Sequence, residues 1–395
     1  MSDEVALLRR AFDIDELPPS TLDARAAVRA GRRRARVRAA VLAGATVVTV
    51  LATTVLVAQV TGGPRREPAT PPAPWVRPSA VTSYAPGPAS PPLGTCTYTD
   101  AQLPGVNGIF VLDPTGRIVV GSASEQGGGD LVRIENGRSE RISPPGGASG
   151  SGPIAVNRAG DVLFRTGQGR LGLYRGGTFT TVPTPDGERL VSMAGLNNHG
   201  EVAMTLNSIE RGGADVRAAV WRRDHPARPA LLATPDGWSS SAIGINDDGT
   251  VAGYLQRPMN GSDATVATVP VVWDGAGTMR ALPVPAEASD ITTTDITGDW
   301  VLARGVRWNL RTGGVDVIEG ILAERVDEHG RVFGEVPNMA PPHPGTWVNG
   351  TVALLPIDPE VPLGMMGVVS DDGSRIIGTA TNETGGLRRL LWTCG

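Results

Sequence analysis

Residues 244–254 read GINDDGTVAGY, in which a polar turn ending in glycine separates two apolar stretches. The same pattern recurs as VLDPTGRIVVG (111–121), AVNRAGDVLF (155–164), GLNNHGEVAM (195–204), TDITGDWVLA (294–303), RVDEHGRVFGE (325–335) and VVSDDGSRIIG (368–378). A glycine suits the left-handed backbone of a tight turn, and the turn glycines are Gly116, Gly160, Gly200, Gly249, Gly298, Gly330 and Gly373. They recur about every 43 residues, so seven units fill the roughly 300 residues from Cys96 to Gly395.

Each repeat unit divides into four short strands. The glycine turn joins the first two strands, and a second hairpin follows, with turns such as ENGR (135–138) and VNGT (348–351). The third strand ends in tryptophan in five units, at Trp221, Trp273, Trp308, Trp347 and Trp392. Because this position recurs from unit to unit, we interpret it as packing between neighbouring sheets. Four strands per unit predict an all-β fold, a seven-bladed β-propeller with four-stranded blades.

The seventh unit is one strand short where the chain reaches Gly395. Residues 96–104 end in Leu-Pro, as the closing strands of other units do, and we expect them to complete the last blade by pairing with residues 388–394. Cys96 and Cys394 then fall where other blades have their second hairpin turn. Two cysteines so placed in an exported domain indicate a disulfide. The last blade is therefore predicted to be a composite of both ends of the domain.

The repeat motifs, GINDDGTVAGY above all, resemble those of bacterial extracellular repeat proteins of the HAF type. The resemblance covers most of residues 105–395 and implies an extracellular β-propeller carried on a membrane anchor. It implies nothing about activity, because propellers host many functions.

An uncharged apolar stretch occupies residues 39–60. Twenty-two helical residues extend about 33 Å, enough to cross a hydrocarbon core of about 30 Å. A cleaved signal peptide fits less well, because about 38 residues precede the stretch. Seven arginines lie within residues 25–38, whereas only Arg65 and Arg66 follow closely on the other side. By the positive-inside rule we predict a single-pass signal anchor in the cell membrane, with the N-terminus cytoplasmic and the C-terminal domain extracellular.

The cytoplasmic segment, residues 1–38, is rich in arginine and reads as two helical pieces, the first of which places Val5, Leu8 and Phe12 on one face. We interpret the arginines as a topology determinant that contacts anionic lipid; a docking site for a cytoplasmic regulator is the alternative. The segment resembles the heads of actinobacterial membrane proteins of the anti-sigma-factor type, which implies such a regulator. The zinc-binding signature of that group needs one histidine and two cysteines, and none of these precedes Cys96.

Residues 61–94 connect the anchor to the repeat domain and contain ten prolines. Proline is excluded from helix and sheet interiors and favours an extended polyproline II backbone of about 3.1 Å per residue. We therefore predict a disordered stalk with a reach of about 100 Å, followed by the propeller domain over residues 95–395.

Composition and motif content exclude several classes of function. The formal net charge of −4 and the pI of about 5.7 give no sign of nucleic-acid binding. The four histidines lack the spacing of metal ligands, and residues 246–249 and 370–373 are interpreted as turns because a calcium loop needs a longer run of ligands. We find no serine-nucleophile motif and no phosphate-binding loop. The sequence therefore predicts no catalytic residue, no metal site and no cofactor.

Long insertions separate the second and third strands of four units, at residues 206–217, 255–269, 335–345 and 380–388. In a propeller such loops share one face, and we expect a ligand site there or at the mouth of the central channel. The candidate ligand residues in these insertions are Arg211, Arg217, Arg257, Asp263 and His343. Ordinary solvated loops are the alternative for each of them.

Two functions fit this architecture. We favour a non-enzymatic binding, sensing or interaction module of the cell envelope, whose partner is an envelope protein or glycan. The alternative is a propeller enzyme that acts on an extracellular polysaccharide or peptide. A cluster of carboxylates and arginines at the channel mouth would favour the enzyme, whereas an apolar or uniformly polar channel would favour the binding module.

Overall fold

A computed structural model describes residues 75–124, 129–146, 148–208, 215–257, 268–288, 291–337, 342–357, 363–381 and 387–395. These ranges form strands, turns and extended segments, and they contain no helix long and apolar enough to cross a membrane. The predicted cytoplasmic segment (1–38), the predicted transmembrane helix (39–60) and residues 61–74 of the predicted stalk lie outside the described residues.

Within these ranges, 28 strands form seven antiparallel sheets of four strands each. In chain order they are β1 (Cys96–Asp100), β2 (Phe110–Leu112), β3 (Ile118–Ser122), β4 (Leu131–Glu135), β5 (Arg138–Ile142), β6 (Ala148–Val156), β7 (Val162–Thr166), β8 (Leu171–Arg175), β9 (Thr178–Val182), β10 (Glu188–Leu196), β11 (Val202–Ser208), β12 (Val216–Trp221), β13 (Ala230–Leu231) and β14 (Ser239–Ile245). The second half comprises β15 (Val251–Gln256), β16 (Thr268–Trp273), β17 (Met279–Ala281), β18 (Thr293–Thr297), β19 (Trp300–Ala303), β20 (Val306–Asn309), β21 (Val315–Val317), β22 (Leu322–Val326), β23 (Val332–Val336), β24 (His343–Val348), β25 (Thr351–Leu354), β26 (Leu363–Val369), β27 (Arg375–Thr381) and β28 (Leu387–Cys394).

The seven sheets are the blades of a closed ring. Six of them consist of four consecutive strands, starting with β2-β3-β4-β5, and the seventh has the order β1-β28-β27-β26. The first strands of blades 1 to 6 contact one another in succession, blade 6 contacts β26 through β23 and β24, and β26 contacts β2. This arrangement confirms the predicted seven-bladed propeller with a composite last blade. Blades are numbered here from 1 (β2–β5) to 7 (β26–β28 with β1).

The ring closes where the two ends of the domain pair. β1 places Cys96 opposite Cys394, and a disulfide joins them with the Cα atoms 4.0 Å apart, which confirms the predicted bond. The pairing reaches only to Asp100, short of the predicted end at residue 104. Beyond it the chain turns towards blade 1, and the backbone N–H of Val106 donates to the carbonyl of Leu103 at 3.1 Å.

The repeated asparagine of the glycine turns makes two kinds of contact. In blade 3 the Asn197 Oδ1 atom accepts hydrogen bonds from the backbone N–H groups of His199 (3.1 Å) and Glu201 (2.9 Å), which fixes its own turn. Its Nδ2 atom donates to the carbonyl of Asn246 in blade 4 at 3.0 Å. All seven turn glycines have positive φ, between 55° and 80°. The motif therefore shapes each turn and also links successive blades.

The five tryptophans of the repeat are buried, each less than 4% exposed. The Nε1 atom of Trp273 in blade 4 donates to the carbonyl of Ala233, in the connection that follows blade 3, at 2.7 Å. Trp308 donates in the same way to Pro283, at 2.7 Å. Because the indoles of Trp273 and Trp308 bond to the connection from the preceding blade, they hold neighbouring sheets together as well as filling the space between them.

Residues 75–94, called the strap below, lie against the propeller, so the prediction of a disordered stalk is wrong for this part. The ring of Trp75 packs edge-on against Trp238 with the centroids 5.1 Å apart. The backbone N–H of Ser90 donates to Asn349 Oδ1, and Asn349 Nδ2 donates back to the Ser90 carbonyl, both at 2.8 Å. A proline-rich segment has few backbone donors, and two further ones are accepted by the propeller: the N–H of Val81 donates to the carbonyl of Val284 at 2.8 Å, and that of Gly87 donates to Asp316 Oδ1 at 3.2 Å. The described part of the predicted stalk is therefore packed against the blades.

Candidate functional site

The two faces of the propeller carry different segments. Because the strands alternate in direction within each blade, the turns after the first and third strands share one face, called the turn face. The connections after the second strands and between blades lie on the opposite face, called the loop face. The long insertions singled out from the sequence therefore lie on the loop face.

The candidate ligand residues on those insertions are spread over the ring. Arg217 lies in β12 of blade 3, where its Nε atom is 2.8 Å from Asp215 Oδ1. Arg257 follows β15 in blade 4 and is exposed, and His343 begins β24 in blade 6 and is half-buried. Arg211 and Asp263 lie outside the described residues. The sequence placed these residues on one face, but the described ones belong to three different blades and do not form one site.

A cavity of about 510 Å³ occupies the central channel and is lined by residues from all seven blades. Its walls are the first strands, with apolar side chains such as Val111, Leu196 and Ile296. In six blades the second residue of the glycine turn lines its mouth on the turn face, and these residues are Pro114, Arg158, Asn198, Asp247, Glu328 and Asp371. In blade 5 Thr297 and Gly298 line it. The repeat therefore places one position from six of the seven blades around a single opening.

Charged groups converge at this mouth. The carboxylates that line the cavity are Asp247, Asp295, Glu328 and Asp371, and the arginines are Arg158 and Arg325. Carboxylates outnumber arginines by two, so the mouth favours positive charge in whatever enters it. A cluster of carboxylates and arginines at the channel mouth is the arrangement expected of a propeller enzyme.

A chain of contacts links four blades at the mouth. The Arg158 Nη2 atom lies 3.4 Å from Asp371 Oδ2, and the Arg158 backbone N–H donates to Asn198 Oδ1 at 2.8 Å. Asn198 in turn donates to both oxygens of Asp247, through its backbone N–H at 2.9 Å and its Nδ2 atom at 2.7 Å. The Asp247 carboxylate is thus held by two hydrogen bonds, whereas the Asp371 carboxylate has one long contact, with a cation, among the described residues.

Burial raises the pKa of Asp371 to about 7. The attraction of Arg158 opposes the rise, while the negative charges of Asp295, Asp247 and Glu328 add to it. Burial also raises the pKa of Asp295, against the effect of Arg325 and of the backbone N–H groups of Val326 and Ile296. The mouth therefore contains a carboxyl group that is about half protonated at neutral pH.

Bulges in the first strands explain why these charges were missed in the sequence. In blades 2 to 7 the pairing of the first strand with the second skips a residue, as it does at Thr294 between Thr293 and Asp295 in β18. A bulge shifts the alternation of side chains by one position. Asp295 consequently lines the channel, whereas Thr293, two positions before it, does not. A strict two-residue period would place these two residues on the same face of the sheet.

A second depression, of about 990 Å³, lies on the loop face between blades 2 and 3. It is lined by the turn between β7 and β8, by the connection from β9 to β10 and by Asn207. Its charged lining residues are Arg165, Arg170, Arg189, Asp186 and Glu188. They come from separate segments, and no sequence motif joins them.

Among the described residues, no group of three or more histidine, cysteine or acidic side chains is placed to hold a metal ion. The described part of the chain therefore presents two candidate sites that rest on polar and charged side chains alone: the channel mouth and the depression on the loop face.

We find no match to a protein-family model and none to a curated protein sequence. Among solved structures, the β-propeller domain of the Trilobed protease from Pyrococcus furiosus matches 72% of this chain and 94% of its own, with 11% identity and a TM-score of 0.49. Streptogramin B lyase matches 77% of this chain and 98% of its own, with 14% identity and a TM-score of 0.45. A gluconolactonase from Xanthomonas campestris matches 78% and 99%, with 13% identity and a TM-score of 0.38. These likenesses carry no argument about activity.

Proposed function

We propose that the chain is a membrane-anchored, extracytoplasmic β-propeller that binds a ligand at the turn-face mouth of its channel, as a non-enzymatic binding or sensing module of the cell envelope. The convergence of four carboxylates and two arginines around one cavity marks the mouth as the site, and the hydrogen bonds that fix Asp247 and Asp295 favour binding over catalysis there. The excess of carboxylates selects a ligand with a cationic group, such as a free amine on an envelope protein or glycan. The arginines are positioned to bind an anionic group of the same ligand.

A propeller enzyme that acts on an extracellular polysaccharide or peptide is the second candidate. A carboxyl group with a pKa near 7, as at Asp371, is suited to give and take a proton at neutral pH. Two of the other carboxylates are engaged in holding the mouth together: Asp247 accepts two hydrogen bonds from Asn198, and Asp295 accepts one from the N–H of Val326 at 3.0 Å. This engagement favours a rigid recognition surface over a pair of catalytic carboxyls.

Neutralising the mouth is expected to abolish binding of envelope material. The variant is the double change Asp371→Asn and Glu328→Gln, and the measurement is capture of a cell-envelope preparation from the source organism by the immobilised full chain. We expect at least a tenfold loss of captured material, because removal of two of the four carboxylates abolishes the negative excess at the mouth. The matched control, Asp224→Asn with Asp236→Asn, removes two exposed charges elsewhere and should capture as much as the wild type.

The same experiment separates the two candidates. If the wild type releases new reducing ends or amines from the envelope preparation, and the single variant Asp371→Asn binds but releases none, the chain is an enzyme. Release of nothing by the wild type rejects the enzyme. Full capture by the mouth variant would reject the mouth as the binding site.

The membrane topology is a separate part of the proposal, supported by the arginine asymmetry around residues 39–60. A phosphatase reporter, active only outside the cytoplasm, is expected to be inactive when fused after residue 30 and active when fused after residue 70. Activity of the first fusion alone would show the opposite orientation. In this arrangement the arginines of residues 25–38 contact the lipid bilayer, and residues 1–38 are available to a cytoplasmic regulator.

A further inference from the structure

The depression on the loop face has a rim that the backbone holds in place. In the turn between β7 and β8, the N–H of Thr166 donates to the carbonyl of Arg170 at 2.8 Å, and the N–H of Arg170 donates to Thr166 Oγ1 at 3.1 Å. On the facing segment, the N–H of Glu188 donates to the carbonyl of Pro185 at 3.1 Å. Side chains that start from these two fixed segments are brought to the same opening.

Three arginines at this opening form no ion pair with an acidic residue that the structure describes. No ion pair between described residues involves Arg165, Arg170 or Arg189, whereas the neighbouring Arg217 is paired with Asp215. Arg165 is half-buried and the other two are exposed. Each guanidinium offers several N–H donors in a planar fork, which matches a carboxylate, sulfate or phosphate group. The opening is therefore suited to a ligand with more than one anionic group.

An acidic residue in the same depression points to a second property of that ligand. Glu188 is half-buried and lines the depression beside these arginines, and its charge also acts on Arg217. A carboxylate accepts hydrogen bonds, and a hydroxyl group of a ligand supplies such a donor. A carboxylate would also repel a ligand that offered only negative charge at this position. The combination selects a ligand that carries hydroxyl and acidic groups side by side.

We propose that this depression binds an acidic saccharide, with Arg165, Arg170 and Arg189 on its acidic groups and Glu188 on a hydroxyl. The volume of about 990 Å³ is at the upper end of the range for ligand sites, about 300–1,000 Å³, so it accommodates an oligosaccharide. The site lies on the loop face and shares no residue with the channel mouth. It is therefore independent of the function proposed above.

Calorimetry on the detergent-solubilised full chain tests the proposal with oligogalacturonate and with a sulfated oligosaccharide as probes. We expect saturable binding of at least one of them, weakened at least tenfold in the triple variant Arg165→Gln, Arg170→Gln and Arg189→Gln. The matched control replaces three exposed arginines that do not line the depression, Arg138, Arg228 and Arg280, by glutamine. It should bind like the wild type. Unchanged melting temperatures will show that both triple variants fold.

Two further measurements separate a saccharide site from general anion binding. Polyglutamate carries carboxylates without hydroxyls and should bind at least tenfold more weakly than the better saccharide. The change Glu188→Ala should weaken saccharide binding and strengthen polyglutamate binding, because it removes the carboxylate that repels a ligand carrying only negative charge. The proposal would be overturned if the wild type bound neither saccharide or bound polyglutamate more tightly than the saccharides. Equal losses of saccharide affinity in the two triple variants would overturn it as well. The variant with Asp371→Asn and Glu328→Gln should bind the saccharide like the wild type. The loss of binding at the channel mouth therefore does not affect the test of this site.

Discussion

Replacing both cysteines by serine, Cys96→Ser with Cys394→Ser, is expected to lower the free energy of unfolding by about 5 kcal/mol. The disulfide closes a loop with a sequence separation of 298, which is nearly the whole propeller. In the chain-entropy model a cross-link over so long a loop removes much of the freedom of the unfolded chain. Without it, the composite blade is held by the five residue pairs between β1 and β28 and by its packing. We expect that blade to open first.

Equilibrium denaturation in urea measures this effect. The wild type in the presence of a reductant is the natural control and should unfold at the same urea concentration as the double variant. Changing both cysteines together avoids a free thiol that could pair with another chain. An unchanged unfolding midpoint in the double variant would show that strand pairing alone closes the ring.

Replacing Arg307 by methionine is expected to lower the free energy of unfolding by about 3–5 kcal/mol, the usual cost of breaking a buried ion pair on one side. The Arg307 side chain is only 1% exposed, and its Nε atom lies 2.8 Å from Asp316 Oδ2. Its guanidinium stacks between the rings of Trp300 and Trp347, with its Cζ atom 4.5 and 4.6 Å from their centroids. The variant therefore leaves Asp316 without its cation and removes two cation–π contacts.

The same residue also joins the strap to blades 5 and 6. The Arg307 Nη1 atom donates to Ser90 Oγ at 2.7 Å and to the carbonyl of Gly330. Limited proteolysis should therefore cut the strap faster in the variant. Arg311→Met is the matched control in the same blade: its side chain is 75% exposed and pairs with Asp299 at 3.2 Å. Such surface pairs contribute less than about 1 kcal/mol, so equal losses in the two variants would contradict the prediction.

The ring and its closure could be predicted because they leave a periodic signal in the chain. Seven glycine turns, five tryptophans at one position and a last unit lacking a strand together set the blade number and the pairing of Cys96 with Cys394. Each signal is local, and its recurrence makes it reliable. The hydrogen bond between blades that the repeated asparagine makes, for example from Asn197 to Asn246, could not be predicted from the sequence. An asparagine is already expected at this position because the turn needs it.

The candidate sites could not be predicted in the same way, since they depend on where separate segments meet. Asp295 faces the channel because a bulge precedes it, and no residue type marks that bulge. Arg165 and Arg189 share one depression although 24 positions separate them in the chain. The strap was misjudged for a different reason. Proline excludes regular secondary structure, but it does not exclude an extended segment whose backbone groups form hydrogen bonds with residues of the blades.

The strap also determines how the protein responds to mechanical tension applied at its N-terminal side. Its anchoring contacts are small and separate, and they include Trp75 on Trp238, Val81 on Val284 at 2.8 Å, and Ser90 on Asn349 and Arg307. A steady pull is therefore expected to peel them in sequence and to lengthen the chain by up to about 70 Å, given about 3.5 Å per extended residue. At Cys96 the peeling stops, because the disulfide to Cys394 holds the first residue of β1 on β28. The ring can thus stay closed while the strap lengthens under load.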